Sequence, residues 1–177
     1  RAGPPVEVCE RPSLPPLAAL PGGPATSAVA DLSFIPPVAV APAWVRLTPD
    51  DARMVLLIKP QFEAGRARVG SGGVVRDPVV HREVLGEVIE GLRREGVIVA
   101  DVIRSPLRGA DGNVEFLAVA HKAGSLTGGS AVTLTTLEAV AQDVGGGVTY
   151  ASADGTVDPI TPNASTHLHA RSAGART

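Results

Sequence analysis

An α/β fold organised around a mostly parallel sheet is predicted by three observations. Hydrophobic residues make up 44% of the 177-residue chain and aromatic residues only 3%, so the core must be filled by Val, Leu, Ile and Ala, which suits strands covered on both faces. The run Arg53-Met54-Val55-Leu56-Leu57-Ile58 is apolar after its first residue and is stopped by Lys59-Pro60, the pattern of a central strand. Helical and extended segments alternate around that run, and alternation of this kind builds βαβ units.

Val6-Glu7-Val8-Cys9 reads as strand-like, and residues 10–27, with Pro12, Pro15, Pro16, Pro21, Gly22, Gly23 and Pro24, as a loop too rich in breakers for a long helix. Ala28-Val29-Ala30-Asp31 reads as a short buried strand ending at Asp31, after which Pro36-Pro37 opens a helix over 37–47. Residues 61–76 form a glycine- and arginine-rich loop. Asp77 is a good N-cap and Pro78 fits the first helical position. Val80, Val84, Val88 and Leu92, with Leu85 and Ile89 beside them, make the apolar stripe of a helix running to about Glu95 and stopped by Gly96. Strands are expected at 97–102 and 114–119, parted by a Ser-Pro and Asp-Gly-Asn turn region. The chain therefore divides into a disrupted strand and loop (1–27), the folded α/β part (28–123) and a Gly-, Ser-, Thr- and Ala-rich tail (124–177). The tail carries four acidic and two basic residues. It is expected to be flexible, with a short strand or helix inside 132–140.

A formal net charge of −2 gives no global attraction to nucleic acid or to an anionic membrane, so RNA contact needs a local basic patch. Cys9, the single cysteine, excludes an internal disulfide and a cysteine-rich metal site and fits a reducing cytosol. No run approaches the roughly 18 apolar residues that span a bilayer, and no signal-peptide plan is seen. A cytoplasmic protein that takes neither membrane nor metal is expected. His167 and His169 lack a third ligand nearby, and Asn163-Ala164-Ser165 is set aside as a glycosylation pattern. His81 is placed on the exposed side of its helix, and Gly70-Ser71-Gly72-Gly73 lacks the lysine spacing of a phosphate loop.

Asp31 and Lys59 fall at the carboxyl ends of predicted parallel strands, the edge where open α/β sheets place ligands. Glu115 starts the last strand, and if that strand runs antiparallel to the others its start lies on the same rim. A lysine flanked by carboxylates is held and aimed by them, and an adjacent cation lowers its proton affinity. Lys59, Arg66, Arg68, Arg76 and Arg82 stand against Glu63 and Asp77 over residues 59–82, a basic surface that makes Arg66, Arg68 and Arg76 the expected RNA contacts.

Ala30-Asp31-Leu32-Ser33-Phe34-Ile35, Lys59-Pro60-Gln61-Phe62-Glu63, Gly72-Gly73-Val74-Val75-Arg76-Asp77-Pro78 and Gly112-Asn113-Val114-Glu115-Phe116 resemble, in this order, the TlyA family of bacterial ribosomal-RNA 2′-O-methyltransferases. The separations of Asp31, Lys59 and Glu115, 28 and 56 residues, also look like that family's, and the resemblance covers about residues 28–121. It implies the C-terminal portion of a Rossmann-like, S-adenosylmethionine-dependent methyltransferase fold related to the FtsJ-like enzymes. That fold would be incomplete at its N-terminus, with the glycine-rich cofactor loop, the first lysine of a Lys-Asp-Lys-Glu tetrad and an S4-like RNA-binding domain upstream of Arg1. The chain alone is then expected to be inactive.

The resemblance assigns Asp31, Lys59 and Glu115 to the last three tetrad positions and places Asp31, Leu32 and Ser33 on the side of S-adenosylmethionine. The implied partner is ribosomal RNA or a ribosomal subunit. A lysine made more acidic by the sulfonium charge would be the general base for the ribose hydroxyl, oriented by the carboxylates. Pro36 and Pro37 stand where the family has serine and an aliphatic residue, and residues 124–177 have no counterpart. TlyA proteins are also named hemolysins, so an RNA-binding or membrane-active remnant is the alternative. It needs an amphipathic or apolar segment of membrane length, which the sequence does not show.

Overall fold

A computed structural model describes residues 18–20, 22–125, 131–133, 137 and 140–142. The Val6–Cys9 segment, the glycine run 145–147 and the His167/His169 pair lie outside the described residues. In chain order the elements are β1 (Ser27–Asp31), α1 (Pro37–Leu47), β2 (Arg53–Ile58), α2 (Pro60–Glu63), α3 (Pro78–Arg94), β3 (Val97–Arg104) and β4 (Phe116–Lys122). Among the described residues the strands form one sheet in the order β1-β2-β4-β3. β1 and β2 pair in parallel, and β4 pairs antiparallel with both β2 and β3, so β1, β2 and β3 share one direction.

The last strand is thus antiparallel, inserted between two parallel strands. It begins at Phe116 rather than at Val114: Asn113 caps the preceding 3₁₀ turn, its N donating to Ala110 O at 3.1 Å, and beyond the last ladder pair Ser105 N still donates to Glu115 O at 2.8 Å. Strand β3 runs two residues past its expected end and carries a register shift between Val99 and Asp101. The shift returns Val102 to the buried face already occupied by Val97 and Val99, which an unbroken period of two would not do.

Met54, Leu56 and Ile58 from β2 and Phe116, Ala118 and Ala120 from β4 alternate onto one face and are buried there. Each large apolar side chain contributes about 1.5–3 kcal/mol by leaving water. Helices α1 and α3 cover this face and touch each other. A Cβ on Gly91 would meet Val38 Cγ2 at 2.7 Å, so glycine permits the close approach. Thr48 ends α1 by donating its N–H and its hydroxyl to Trp44 O, at 3.1 and 2.7 Å. The opposite face presents Val29 and Val119 exposed and Val55, Leu57 and Leu117 half-buried. Cover on both faces, expected from composition, is therefore found on one face among the described residues. Past Lys122, Val132 N donates to Val99 O at 3.0 Å and Leu137 joins the core.

Two expectations are corrected. Residues 61–76 are not all loop, because Pro60 opens α2 and turns of 3₁₀ type follow at Arg66–Arg68 and Ser71–Gly73. His81 is not on an exposed face. It is 2% exposed, with Nε2 3.0 Å from Val75 O and its ring edge-on to Phe116 at 5.5 Å, since the segment before α3 folds back over the first helical turn.

Candidate functional site

Asp31 closes β1 and pairs across the parallel ladder with Leu57, two residues before Lys59. Lys59 has an extended backbone and caps α2, with Pro60 at the first helical position. Proline stops the strand and starts the helix in one step, which fixes the lysine at the carboxyl rim. Lys59 Nζ lies 2.6 Å from Asp31 Oδ1, donates to Ser33 Oγ at 3.3 Å and stands 5.8 Å from the centroid of the Phe62 ring. The lysine side chain is 13% exposed and the aspartate 66%. An ion pair this open to water adds little stability, so its consequence is orientation: an ammonium gripped on two sides with a partner carboxylate still accessible.

Glu115 reaches the same rim, because Phe116 pairs with Ile58. The carboxylate is buried and bonds not to Lys59 but to Gln61, whose Nε2 donates to Oε1 at 2.9 Å. A Cβ on Gly109 would collide with that carboxylate, so Glu115 lies between Gln61 and Gly109 and a larger residue at 109 would displace its carboxylate. Asn113, 2% exposed, binds three backbone groups: its Oδ1 accepts from Val75 N at 3.1 Å and its Nδ2 donates to Gly73 O at 3.1 Å and Ala110 O at 3.0 Å. It joins the 73–75 segment to the turn that precedes Glu115.

Phe34 has φ 64°, a left-handed conformation that costs a non-glycine residue about 1–2 kcal/mol. Its ring is 82% exposed and sits 4.4 Å from Phe62, tilted by 46°. Both rings line an open groove of about 470 Å³ together with Gln61, Arg66 and Val69. A flat apolar surface beside a cation suits a base stacked near a phosphate.

The three arginines expected to share one basic surface are placed apart. Arg66 lines this groove and Arg76 lines a second cleft. Arg68 instead clamps α3, with Nη1 and Nη2 each 2.8 Å from Glu87, Nη1 3.6 Å from Glu83, and Nε donating to Ala64 O at 2.7 Å. Arg68→Ala should lower stability by about 1 kcal/mol and leave RNA affinity unchanged. Thermal melts and oligonucleotide titrations check both, and a weakened RNA complex would contradict this placement.

Glu63, at the end of α2, is pushed up to about 7 from 4.5 by burial. The folded state then holds this proton more tightly than the unfolded state, so stability falls as pH rises from about 4.5 through 7. Glu63→Gln should raise stability at pH 8 by on the order of 1 kcal/mol and change nothing below pH 4.5. Urea unfolding at both pH values tests this, and an equal gain at both would contradict it.

Asp31 and Lys59 were legible as rim residues; Ser33, expected from the resemblance on the cofactor side, lies beside Lys59, and Leu32 is half-buried between Asp31 and Ser33. Gln61, Asn113, Phe34 and Phe62 were not singled out, although they stand inside the same short motifs; Pro60, read as a helix opener, would have placed Gln61 and Phe62 back over the rim. Among the described residues no group of three or more His, Cys, Asp or Glu could hold a metal ion.

A mixed sheet with an antiparallel strand inserted before its last parallel one, and an acid–lysine pair at its carboxyl rim, define a Rossmann-like α/β domain of the methyltransferase class. The FtsJ-like methyltransferase family profile matches residues 9–122, and the chain belongs to that family. A provisionally named rRNA methyltransferase, YqxC of Bacillus subtilis, is 44% identical over 94 residues, which are 53% of this chain and 34% of that protein. The 16S/23S rRNA (cytidine-2′-O)-methyltransferase TlyA of Mycobacterium tuberculosis is 44% identical over 95 residues, 54% of this chain and 35% of that protein. A solved structure of a provisionally named hemolysin from Streptococcus thermophilus superposes with a TM-score of 0.63 at 35% identity, over 68% of this chain and 42% of that one. The chain spans about a third of the length of these curated relatives.

Proposed function

We propose that Asp31, Lys59 and Glu115 form the hydroxyl-handling part of a ribose 2′-O-methyltransferase site that acts on ribosomal RNA in the full-length gene product. The observation that carries this is the 2.6 Å Asp31–Lys59 pair at the carboxyl rim, beside an exposed aromatic ring. The names of the Bacillus subtilis and Mycobacterium tuberculosis relatives support the same substrate class.

The residues after β1 fit S-adenosylmethionine by charge: Asp31 keeps an accessible carboxylate next to the lysine, the complement of a sulfonium. Asp31, Leu32 and Ser33 would hold the reactive end of that group, which supplies an electrophilic methyl. An ammonium cannot accept a proton, so Lys59 acts after its own proton has passed to solvent, a loss that the positive charge of a bound sulfonium would favour. The neutral amine then takes the proton of the ribose 2′-hydroxyl, a poor nucleophile until it is deprotonated. Asp31 and Ser33 fix the direction of Nζ. Glu115, through Gln61, holds the start of α2 against the sheet and so keeps Lys59 on the rim. Phe34 stacks on the base of the target nucleotide, and Arg66 meets its phosphate.

The full-length gene product incubated with ribosomal subunits and S-adenosylmethionine labelled in its methyl group should transfer label to RNA. No transfer to either subunit or to the free RNAs would contradict the reading. The membrane-active alternative gains no observation, since no helix of the described residues is long and apolar enough to cross a membrane.

A further inference from the structure

Arg76 precedes α3, Arg104 ends β3 and Arg108 lies in the turn that follows, yet all three line one cleft of about 300 Å³ whose wall includes His81. We propose that this cleft binds a backbone phosphate of the RNA strand, a few nucleotides from the one presented to Lys59. The proposal rests on the RNA reading above and adds a second, separate anchoring point to it.

Charge is the first argument. Among the described residues three arginines and one carboxylate, Asp111, line the cleft, and Asp77, which accepts from Val79 N at 2.9 Å, adds a second negative charge beside it, so the arginines remain in excess. A concave surface of one dominant sign focuses its field on an incoming anion, and the planar guanidinium fork matches phosphate geometry. His81 reports that field from the wall. Its pKa is held below the usual histidine value first by burial, against the opposing pull of the Val75 carbonyl, while Arg104 and Arg108 lower it and Asp77 raises it.

Rigidity is the second argument. Asn113 ties one wall to the other, accepting from Val75 and donating to Ala110, and Arg108 Nη1 reaches Gly112 O at 3.4 Å. The backbone that carries Arg76 and Arg108 is therefore set before any ligand arrives, which lowers the ordering cost of binding.

Position is the third. Arg104 pairs with Phe116, and Phe116 with Ile58, so the ends of β3 and β2 are two strand spacings apart on the rim, about 10 Å at roughly 4.8 Å per strand. At about 3.4 Å per nucleotide along a stacked strand, that is on the order of three nucleotides.

The test is a salt titration of a fluorescein-labelled, single-stranded 12-nucleotide RNA against the chain and three variants. Arg76→Ala/Arg108→Ala should weaken binding about tenfold near 0.1 M salt and reduce the slope of log K against log salt by about 1.4, roughly 0.7 per lost contact. Arg68→Ala, whose guanidinium is committed to Glu87, should match the parent. Thermal melts confirm that the double variant, altered at two exposed residues, stays folded. If the double variant keeps the parent's affinity and slope while Arg66→Ala loses both, the cleft is overturned and the RNA reading stands. If the parent binds no RNA, both are overturned. A weakened, flatter titration from a full-length protein that transfers no methyl group supports the cleft and overturns the methyltransfer reading alone.

Discussion

Lys59→Ala in the full-length gene product is expected to slow methyl transfer to ribosomal RNA by about 10²–10⁴-fold, the range a positioned proton acceptor supplies, with RNA affinity changed less than about threefold. The pair geometry sets this expectation. Nζ is gripped by Asp31 and Ser33 and packed near Phe62, so its removal deletes the acceptor without opening the core, and the charge lost is one that is ion-paired with Asp31. Single-turnover rates separate the chemical step from binding. A variant with full rate, or one whose rate falls only because RNA no longer binds, would remove Lys59 from the proposed role.

Asn113→Ala should have the next largest effect, and on two quantities at once. The amide satisfies Val75 N–H, Gly73 C=O and Ala110 C=O at a buried site. Ala110 O keeps a second donor, Asn113 N, whereas alanine leaves the Val75 and Gly73 groups without their side-chain partner. Only the Val75 N–H bond is fully buried, whereas Gly73 is exposed and its carbonyl can turn to water. With about 1–3 kcal/mol for one buried unsatisfied group, the loss is about 1–3 kcal/mol, a large fraction of a modest domain stability and roughly 5–10 °C in Tm. Asn113 touches no reacting atom, so it is a positioning residue. The turn it holds contains Gly109 and leads into Glu115, and slack there should lower kcat more than it raises KM at temperatures well below the melting transition. A purely structural role would shift Tm and leave kcat intact at those temperatures. Asn113→Asp, which retains the acceptor for Val75 N–H, should recover part of the stability.

Elements with strong local periodicity were legible in the sequence. The helix over 37–47, the strand over 53–58 and the helix from Pro78 appear where their proline, N-cap and apolar stripe place them. The direction of β4 was not legible, because a period of two is the same read either way; the ladder, not the strand, decides it. Burial of His81 escaped a reading of the helix alone, since it depends on Val75 and Phe116 arriving from elsewhere.

The arginines teach the same lesson. Arg66, Arg68 and Arg76 lie close in sequence but serve a groove, an ion-paired clamp and a second cleft, while Arg104 and Arg108 join Arg76 from a distance no local pattern reveals. For Glu115 the rim position was expected only on the condition that its strand ran antiparallel, which the ladder supplies, whereas its bond to Gln61 follows from the short α2 that Pro60 starts. Phe34 gave no sequence signal for its left-handed backbone, which only the paired ring of Phe62 makes intelligible.

The central claim concerns one atom: the ribose 2′-oxygen as the acceptor at the Asp31–Lys59 rim. Its most direct test is complete alkaline hydrolysis of ribosomal RNA labelled by the full-length gene product, since a methylated 2′-oxygen cannot attack the adjacent phosphate. The account predicts that the label survives in an alkali-resistant dinucleotide and is lost with Lys59→Ala. Label recovered in single nucleotides, on the base, would contradict it.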